Sequence, residues 1–371
     1  MKRFLLFFMP AATIASTALA QPDAASADEL LKKIEKTMAG SSLSAQLFMG
    51  FQYVQTGGLH ANEFLIKRGY LSYRKAITEH LSGRITPDIT IDHEGDGLGD
   101  VEMRLKYCYM EYKRRGGAFF TEPSILFGEV FTPWIEFEEK INLYRVQSPH
   151  YLDRIKTLSS ADFGVTVTSL LGGKVDETYQ KNVNSGYPGK FGSLSFGLYN
   201  GGGYHAIEVN NNKTLQWRLS LRPLPNALTG LQFSYAGVTG KGNTELSPEW
   251  RMHTGFVSYE SRRIILTGQY FSGVGNHEGS LADVAGVAYA NRGYSLFADA
   301  RLLHRKLSLI GRRDVHEIDK AVTVTMERSI AGLVCHIGGK NKMLLAVDHT
   351  EYLGMQKPKQ TIYELTVELA F

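Results

Sequence analysis

The last nine residues of the chain, Tyr363 to Phe371, read YELTVELAF and decide the class of fold. Every odd position of this stretch is apolar, and every even position holds Glu, Thr or Ala. Alternation with period two is the pattern of a β-strand that has one apolar and one polar face. The same alternation recurs upstream at Leu81 to Asp92, Val101 to Lys113 and Leu215 to Arg222.

The alternating segments have the length and charge pattern of membrane strands. Each is about 9–13 residues long, which fits a tilted transmembrane strand better than the mode of about 5–6 residues in soluble proteins. In the segment that begins at Val101, we expect Tyr107 and Tyr109 on the apolar face, opposite Arg104 and Lys106. Charges near strand centres suit the polar lumen of a barrel.

The final strand, which ends on Phe371, resembles the assembly signature of bacterial outer-membrane barrels. The chain is therefore predicted to be an all-β protein, a transmembrane antiparallel β-barrel of about sixteen strands over residues 42–371. The predicted strands begin near Leu43, Glu63, Leu81, Val101, Phe119, Ser160, Phe191, Thr214, Leu231, Arg251, Ile264, Arg292, Leu307, Ser329, Met343 and Thr361.

The connections between these strands differ in length, and length predicts the side of the membrane that each one faces. Outer-membrane barrels have short periplasmic turns and longer extracellular loops. The short connections are predicted to be periplasmic turns; they lie at 77–80, 225–230, 261–263, 304–306 and 338–342. The stretch from Asp176 to Gly189 breaks this scheme, because it is long where a turn is expected.

The N-terminal region predicts export from the cytoplasm. Residues 1–20 combine Lys2 and Arg3 with an apolar stretch and a small-x-small site at Ala18 to Ala20, which is typical of a signal peptide. Residues 21–41 are expected to be a periplasmic lead with a short helix over Asp28 to Met38, and a disordered tether is the alternative.

Charge and cysteine content exclude some classes of protein. The formal net charge of +4 is too small to indicate a nucleic-acid partner. The two cysteines, Cys108 and Cys335, are too few for a disulfide scaffold, and whether they pair stays open. The acidic turn from Asp92 to Gly97 starts like a calcium-binding loop, but Met103 stands where the ligand Glu is needed, so no metal site is predicted.

Seven short motifs follow one another in an order and spacing that resemble the phosphate-selective porin O and P family. The likeness extends over about residues 43–371 and is strongest up to Pro223. The motifs are Phe64–Leu71, Arg104–Tyr112, Phe127-Gly128, Pro133-Trp134, Ser159–Gly164, Leu198–Gly201 and Arg218–Pro223.

The resemblance implies a trimeric barrel of sixteen strands with a third extracellular loop folded into the lumen as a constriction. This loop would follow Pro133-Trp134 and run to about Leu158. The residues themselves indicate a functional loop, because the stretch is long and does not alternate, although an exposed surface loop is the alternative. Its candidate constriction residues are Trp134, Glu136, Glu138, Glu139, Lys140, Tyr144, Arg145 and Arg154.

In the family, phosphate selectivity depends on a lysine cluster in the constriction and on a ladder of arginines along the wall. The loop of this chain holds Lys140 and Lys156 with glutamates nearby, so the lysine cluster is not evident. Arginine suits oxyanions because its planar fork makes two parallel hydrogen bonds, although a single lumen arginine can also be a solvated wall residue. The candidate pore-lining residues are Arg68, Arg74, Arg84, Arg104, Lys106, Arg218, Arg222, Arg301 and Arg312.

Together these observations predict an outer-membrane porin for passive diffusion of small polar solutes, with a preference for anions such as phosphate. Such a function needs no cofactor and no catalytic residue. The expected partners are outer-membrane lipid and lipopolysaccharide, small anionic solutes and further copies of the chain in a homotrimer. Two alternatives stay open, a plugged structural or adhesive barrel and an outer-membrane barrel enzyme, since Ser and His are abundant.

Overall fold

The alternating segments form antiparallel strands that close into a barrel. Within residues 38–92 and 97–371 there are sixteen strands, each hydrogen-bonded to its neighbours in sequence, and the last strand pairs with the first. The strands are β1 (Ser41–Thr56), β2 (Leu59–Ala76), β3 (Leu81–Ile91), β4 (Val101–Lys113), β5 (Phe120–Phe131), β6 (Ala161–Leu171), β7 (Gly192–Tyr199), β8 (Thr214–Leu221), β9 (Leu231–Lys241), β10 (Glu249–Glu260), β11 (Ile264–Val274), β12 (Ala290–Leu302), β13 (Leu307–Ile318), β14 (Val324–Gly338), β15 (Asn341–Leu353) and β16 (Gln360–Ala370).

The part of the chain that this computed structural model describes comprises residues 38–92 and 97–371, with Glu29 and Lys32. The predicted signal peptide, most of the predicted lead helix and residues 93–96 of the acidic turn lie outside the described residues. Among the described residues, no helix combines the length and the apolar character needed to cross a bilayer.

The prediction of a barrel of about sixteen strands is confirmed. Each predicted start lies within five residues of the observed one. The closing strand pairs with β1 in an unbroken register from Gln46 opposite Ala370 to Thr56 opposite Gln360. Phe371 continues this pairing, because its backbone N–H donates to the Ala45 carbonyl and its carbonyl accepts from the Ala45 N–H.

The outer face of the barrel is apolar. Leu105, Phe127 and Leu345 point outward and are 46%, 60% and 59% exposed. Apolar surface costs about 25 cal/mol per Å² in water, so a belt of such side chains requires a hydrocarbon surrounding. A closed barrel suits that surrounding because it leaves no unpaired strand edge in the hydrocarbon.

One strand departs from the predicted faces. The register of β3 and β4 shifts between Thr86 and Pro87, so that Lys106 is an extra residue on β4. Such a bulge reverses the faces of all residues that follow it. Tyr107 and Tyr109 are therefore buried on the inner face, and their predicted place on the apolar outer face was wrong.

The two ends of the barrel carry different connections. Six connections at the end that holds both termini of the barrel are short, and they include the five predicted turns. The seventh connection at this end, residues 172–191 between β6 and β7, is long and contains a helix. The opposite end carries the longest connection of the described chain, residues 132–160 between β5 and β6. Within residues 97–371 the α-helices are α1 (Ile135–Ile141) and α2 (Tyr151–Arg154) in that connection, and α3 (Glu177–Asn182) between β6 and β7.

Candidate functional site

Residues 132–160, which we call the inner loop, fold into the barrel. Trp134 packs edge-on against Phe256 with ring centroids 5.1 Å apart, and Tyr151 packs against Phe271 at 5.7 Å. Phe256 and Phe271 are inward-facing residues of β10 and β11. The buried apolar residues of the loop thus form one core with the inner face of β9–β15 and with Phe48 of β1. This burial holds the loop against one side of the barrel.

A row of carboxylates on the inner wall fixes the polar atoms of the inner loop. Tyr144 donates a hydrogen bond to Asp299 at 2.9 Å, and Gln147 donates to Asp348 at 2.8 Å. Arg154 forms an ion pair with Asp314. We call this set the carboxylate row; its members are Asp299, Asp314, Asp348, Glu364 and Glu368.

Two lysines of the wall connect the last two members of the row to the loop backbone. Lys67 donates to Glu364 and to the Gln147 carbonyl, both at 2.6 Å. Lys342 pairs with Glu368 and donates to the Leu143 carbonyl. The carboxylate row was not predicted from the sequence, although its acids have the same inward phase that selected the arginines.

Arg218 and Arg222 point inward but do not line an open passage. They are 1% and 2% exposed. Arg218 donates to the Pro133 carbonyl at 3.0 Å and to Ser220, beneath the inner loop. Arg222 donates to the Thr229 carbonyl and lies over the Tyr179 ring. The predicted inward phase is right for both, but protein covers them.

Arg301 and Arg312 lie on the wall against which the inner loop packs. Arg301 donates to Asp299 at 3.2 Å, and Arg312 donates to Asp314 at 3.0 Å. Both carboxylates belong to the carboxylate row and also bind the loop. These two arginines therefore neutralise buried acids, and their charges are largely compensated.

The remaining candidate cations lie together on β2–β4. This set, which we call the basic wall, consists of Arg68, Arg74, Arg84, Arg104 and Lys106. The buried acid Asp88 lies 3.3 Å from the Arg68 guanidinium and 3.8 Å from that of Arg104, and the partly exposed Glu102 lies 3.7 Å from Arg104. The side chains of Arg68 and Arg104 keep 21% and 23% exposure, so water reaches them inside the barrel.

Arg74, Arg84 and Lys106 carry the least compensated charges of the basic wall. Within the described residues, none of the three has a carboxylate oxygen within 4.0 Å. The Arg84 guanidinium lies 4.3 Å from the centroid of Tyr107 and donates to Thr86. The Lys106 ammonium lies 4.7 Å from the centroid of Tyr70. Aromatic rings stabilise a cation but do not neutralise it, so Arg84 and Lys106 keep their charge. Arg84 is partly exposed, whereas Lys106 is 3% exposed and acts on a solute through its field and not by direct contact.

The side of the inner loop away from the carboxylate row carries both signs of charge. Arg145 lies 3.7 Å from Glu139 and 3.9 Å from Asp153, and all three keep partial exposure. Burial acts to lower the pKa of Arg145, but Tyr70, Asp153 and Glu139 outweigh burial and the pKa is raised. Since Tyr70 belongs to β2, this side of the loop faces the β2–β4 side of the barrel.

The other candidate loop residues stabilise α1. Glu136 pairs with Lys140 at 3.1 Å, one helical turn away. Glu138 is buried and accepts a hydrogen bond from the Trp134 indole N–H at 3.1 Å. Burial raises the pKa of Glu138 to about 7, against the opposing effects of Arg312 and the Trp134 hydrogen bond.

A second loop reaches the basic wall from the long-loop end. Tyr204, in the connection 200–213 between β7 and β8, donates a hydrogen bond to Asp88 at 3.0 Å. Its hydroxyl also accepts from Arg68 at 3.5 Å. Tyr204 thus fixes the position of the Arg68–Asp88 pair from the lumen side. No local pattern in the sequence indicates this contact.

The other candidate chemistry of the chain is not gathered into a site. Cys108 and Cys335 are free and exposed, and they lie on β4 and β14. Among the residues that the structure describes, no group of three or more His, Cys, Asp or Glu side chains is placed to hold a metal ion.

Comparison with known proteins relates this geometry to outer-membrane channels. No protein-family model matches the chain, and no curated protein matches it. The anion-selective porin of Comamonas acidovorans has a TM-score of 0.61 at 12% identity, covering 89% of this chain and 99% of that one. The outer membrane channel DcaP of Acinetobacter baumannii has 0.54 at 11% identity, covering 90% and 98%.

A third solved structure, the trimer form of OmpT from Vibrio cholerae, has a TM-score of 0.54 at 8% identity, with 90% and 100% covered. At these identities the likeness concerns the fold. The fold is that of the outer-membrane porins. A sixteen-stranded barrel of this type with an apolar outer face is a protein of the bacterial outer membrane.

Proposed function

We propose that the protein is an outer-membrane porin that allows small polar solutes to diffuse passively and that prefers anions, phosphate among them. The observation that carries the preference is the contrast in compensation between cations. Arg84 and Lys106 have no carboxylate partner among the described residues, whereas Arg301, Arg312, Arg328 and Lys342 each contact one. Arg74 of β2 also has no carboxylate partner among the described residues, so the uncompensated positive charge of the basic wall is spread over β2–β4.

The mechanism is electrostatic. The inner loop packs on the inner face of β9–β15 and on Phe48 of β1, and we propose that solutes pass along the basic wall. An anion that loses part of its hydration shell there gains the field of several cations in sequence. Several weak sites favour conduction, because binding must be strong enough for entry and weak enough for exit.

A preference for phosphate is the finer part of the proposal. It is supported by the resemblance of the motifs to phosphate-selective porins and by the arginines of the basic wall, whose forks match an oxyanion. The anion-selective porin among the similar structures supports the coarser preference for anions. No covalent chemistry is required.

Electrical recording of the purified full chain in planar bilayers tests the proposal. Discrete conductance steps, a reversal potential of the sign expected for anions under a salt gradient, and a lower current on adding phosphate would support a selective porin. Steps without ion preference would leave a general porin. An absence of steps from folded, heat-modifiable protein would contradict the proposal and favour a plugged structural or enzymatic barrel.

We propose in addition that the barrel forms a homotrimer in contact with outer-membrane lipid and lipopolysaccharide. The apolar outer face supports the lipid contact, and the trimer form of the similar OmpT structure supports the assembly. Crosslinking in native membranes, followed by denaturing electrophoresis, should give a band at three times the monomer mass. A crosslinked series that stops at the monomer would contradict the trimer.

A further inference from the structure

Residues 172–191 form a long connection at the end of the barrel where the other described connections are short. Its first and last residues continue the β6–β7 hairpin, through a bridge between Lys174 and Gly189 and a hydrogen bond from Val175 to Pro188. Between these pairs lies α3, whose N-terminus is capped by Asp176. The segment is thus a structured insertion and not a loose turn.

The insertion contacts α1 of the inner loop through Tyr187. The Tyr187 hydroxyl bonds to Glu136, and its ring lies 5.5 Å from the Phe137 ring. The Arg218 guanidinium lies over both rings, at 4.2 Å from Phe137 and 4.6 Å from Tyr187. A buried arginine of β8 therefore joins the insertion to the inner loop.

A second contact fixes the end of α1. Asn184 donates to the Lys140 carbonyl at 2.9 Å, which satisfies a carbonyl of the last helical turn. The same amide donates to Glu260 of β10 at 2.6 Å. Gly186 lies against Lys140 so closely that an added Cβ would be 2.6 Å from the Lys140 Cβ. Asn184 therefore connects the end of α1 to the barrel wall.

Lys140 is the charge that these contacts hold in place. Its side chain is 48% exposed and pairs with Glu136, the acid that also binds Tyr187. Lys340 lies in the turn between β14 and β15, and burial and then Lys140 lower the pKa of Lys340. Lys140 is thus close to the short-turn end of the lumen.

We propose that residues 172–191 act as a strut at the short-turn end of the barrel. The strut holds α1 in position, so that the passage keeps its width and Lys140 stays beside the exit of the passage. Asn184 and Tyr187 are positioning residues in this role. The inference rests on the proposed function for its effect on conduction, but the support of α1 is independent of it. It also explains why this one turn is long.

The main variant replaces Asp176–Pro188 with Asn-Gly-Thr, in which Asn-Gly is a two-residue turn and Thr supplies the backbone N–H that Pro188 lacks. The hairpin can close there because the Val175 N–H already donates to the carbonyl of the residue opposite, Pro188. The variant should still give channel steps, with unitary conductance raised about twofold, because conduction depends on the width of the pore. The reversal potential should move toward zero. Conductance and reversal potential equal to those of the full chain would overturn the proposal.

A milder pair of changes covers the case in which the shortened chain fails to fold. Asn184→Ala with Tyr187→Phe removes the contacts to Lys140 and Glu136 and keeps the ring over Arg218. Ser185→Ala is the matched control, since Ser185 is exposed and lies between them. The double variant should have larger open-state current noise than the control, and equal noise would contradict the strut.

Hydrogen exchange separates failure of the strut from failure of the porin proposal. Amide protons of α1 should exchange faster in the double variant than in the Ser185→Ala control, whether or not the barrel conducts. Unchanged exchange in α1 would overturn the strut. Faster exchange in a barrel that gives no channel steps would support the strut and contradict the proposed function.

Discussion

The two halves of the inner wall place the same types of residue in opposite roles. On β2–β4, Arg68 and Arg104 share one acid and keep contact with water. On β12 and β13, Arg301 and Arg312 each face a carboxylate that also binds the inner loop. The difference arises from what covers each half. An inward arginine is a pore residue only where the folded loop leaves it uncovered.

The covered half should lose most when a member of the carboxylate row is removed. Asp314 is fully buried between Arg154 and Arg312, so Asp314→Ala leaves two guanidinium groups without their acid. Breaking a buried pair in this way costs about 3–5 kcal/mol. Denaturant unfolding in detergent micelles measures the loss, with the exposed Glu245→Ala as control. A loss equal to that of the control would contradict the role of the row.

Removing an apolar contact in the same half of the wall should cause the next largest loss of stability. Leu152 is fully buried in the inner loop, and Leu152→Ala should cost about 2–5 kcal/mol because it leaves a cavity. Leu309→Ala, on the exposed outer face of β13, should cost less because lipid or detergent fills the space. The same unfolding measurement compares them. Equal losses would mean that the loop is not packed as a core.

A substitution in the uncovered half of the wall should lower the free energy of unfolding only slightly. Tyr204→Phe removes one hydrogen bond to Asp88, which keeps Arg68 as a partner, so a loss of about 1 kcal/mol is expected. A second measurement compares the hydrogen-exchange rates of the backbone amides around Asp88 in the unmodified chain and in Tyr204→Phe. A loss above that of Leu152→Ala would show that the uncovered half is as tightly coupled as the covered half.

A further effect concerns the dependence of stability on pH. The pKa of Glu138 is raised to about 7 by burial, above its unfolded value. Its contribution to stability is therefore fully present below the unfolded pKa and is lost as pH rises through about 7. The temperature of heat modification should fall between pH 5 and pH 8, and Glu138→Gln should reduce this fall. The same fall in the variant would assign the pH effect to other groups.

The strand pattern could be predicted from the sequence because each strand has one face in lipid. Alternation was clear in β3 and in β16, where inward positions are polar. It was weaker in the middle of the chain. There the inward residues Val238, Met252 and Phe271 are themselves apolar, because they pack against the inner loop. Both faces of those strands are apolar, so the alternation of apolar and polar residues is weak there.

The functional sites were harder to predict than the strands. The phase of a strand shows which side chains point inward, but it does not show which of them are buried by other parts of the protein. Arg218 has the right phase but lies beneath the inner loop, which the sequence could not reveal. The bulge at Lys106 moved Tyr107 inward, and no local pattern marks a bulge. The members of the basic wall were predicted from strand phase alone, within a longer set of nine cations, whereas the contacts of Tyr204 and Asn184 join residues that are distant in sequence.

The claim that anions pass along the basic wall is tested most directly by the reversal potential under a salt gradient. The variant to measure is Arg84→Gln with Lys106→Gln. The control, Arg251→Gln with Arg292→Gln, removes the same charge from exposed positions. The first pair of changes should abolish most of the anion preference, and the control pair should leave it unchanged. An unchanged reversal potential in the first pair would contradict the claim that anions pass along the basic wall.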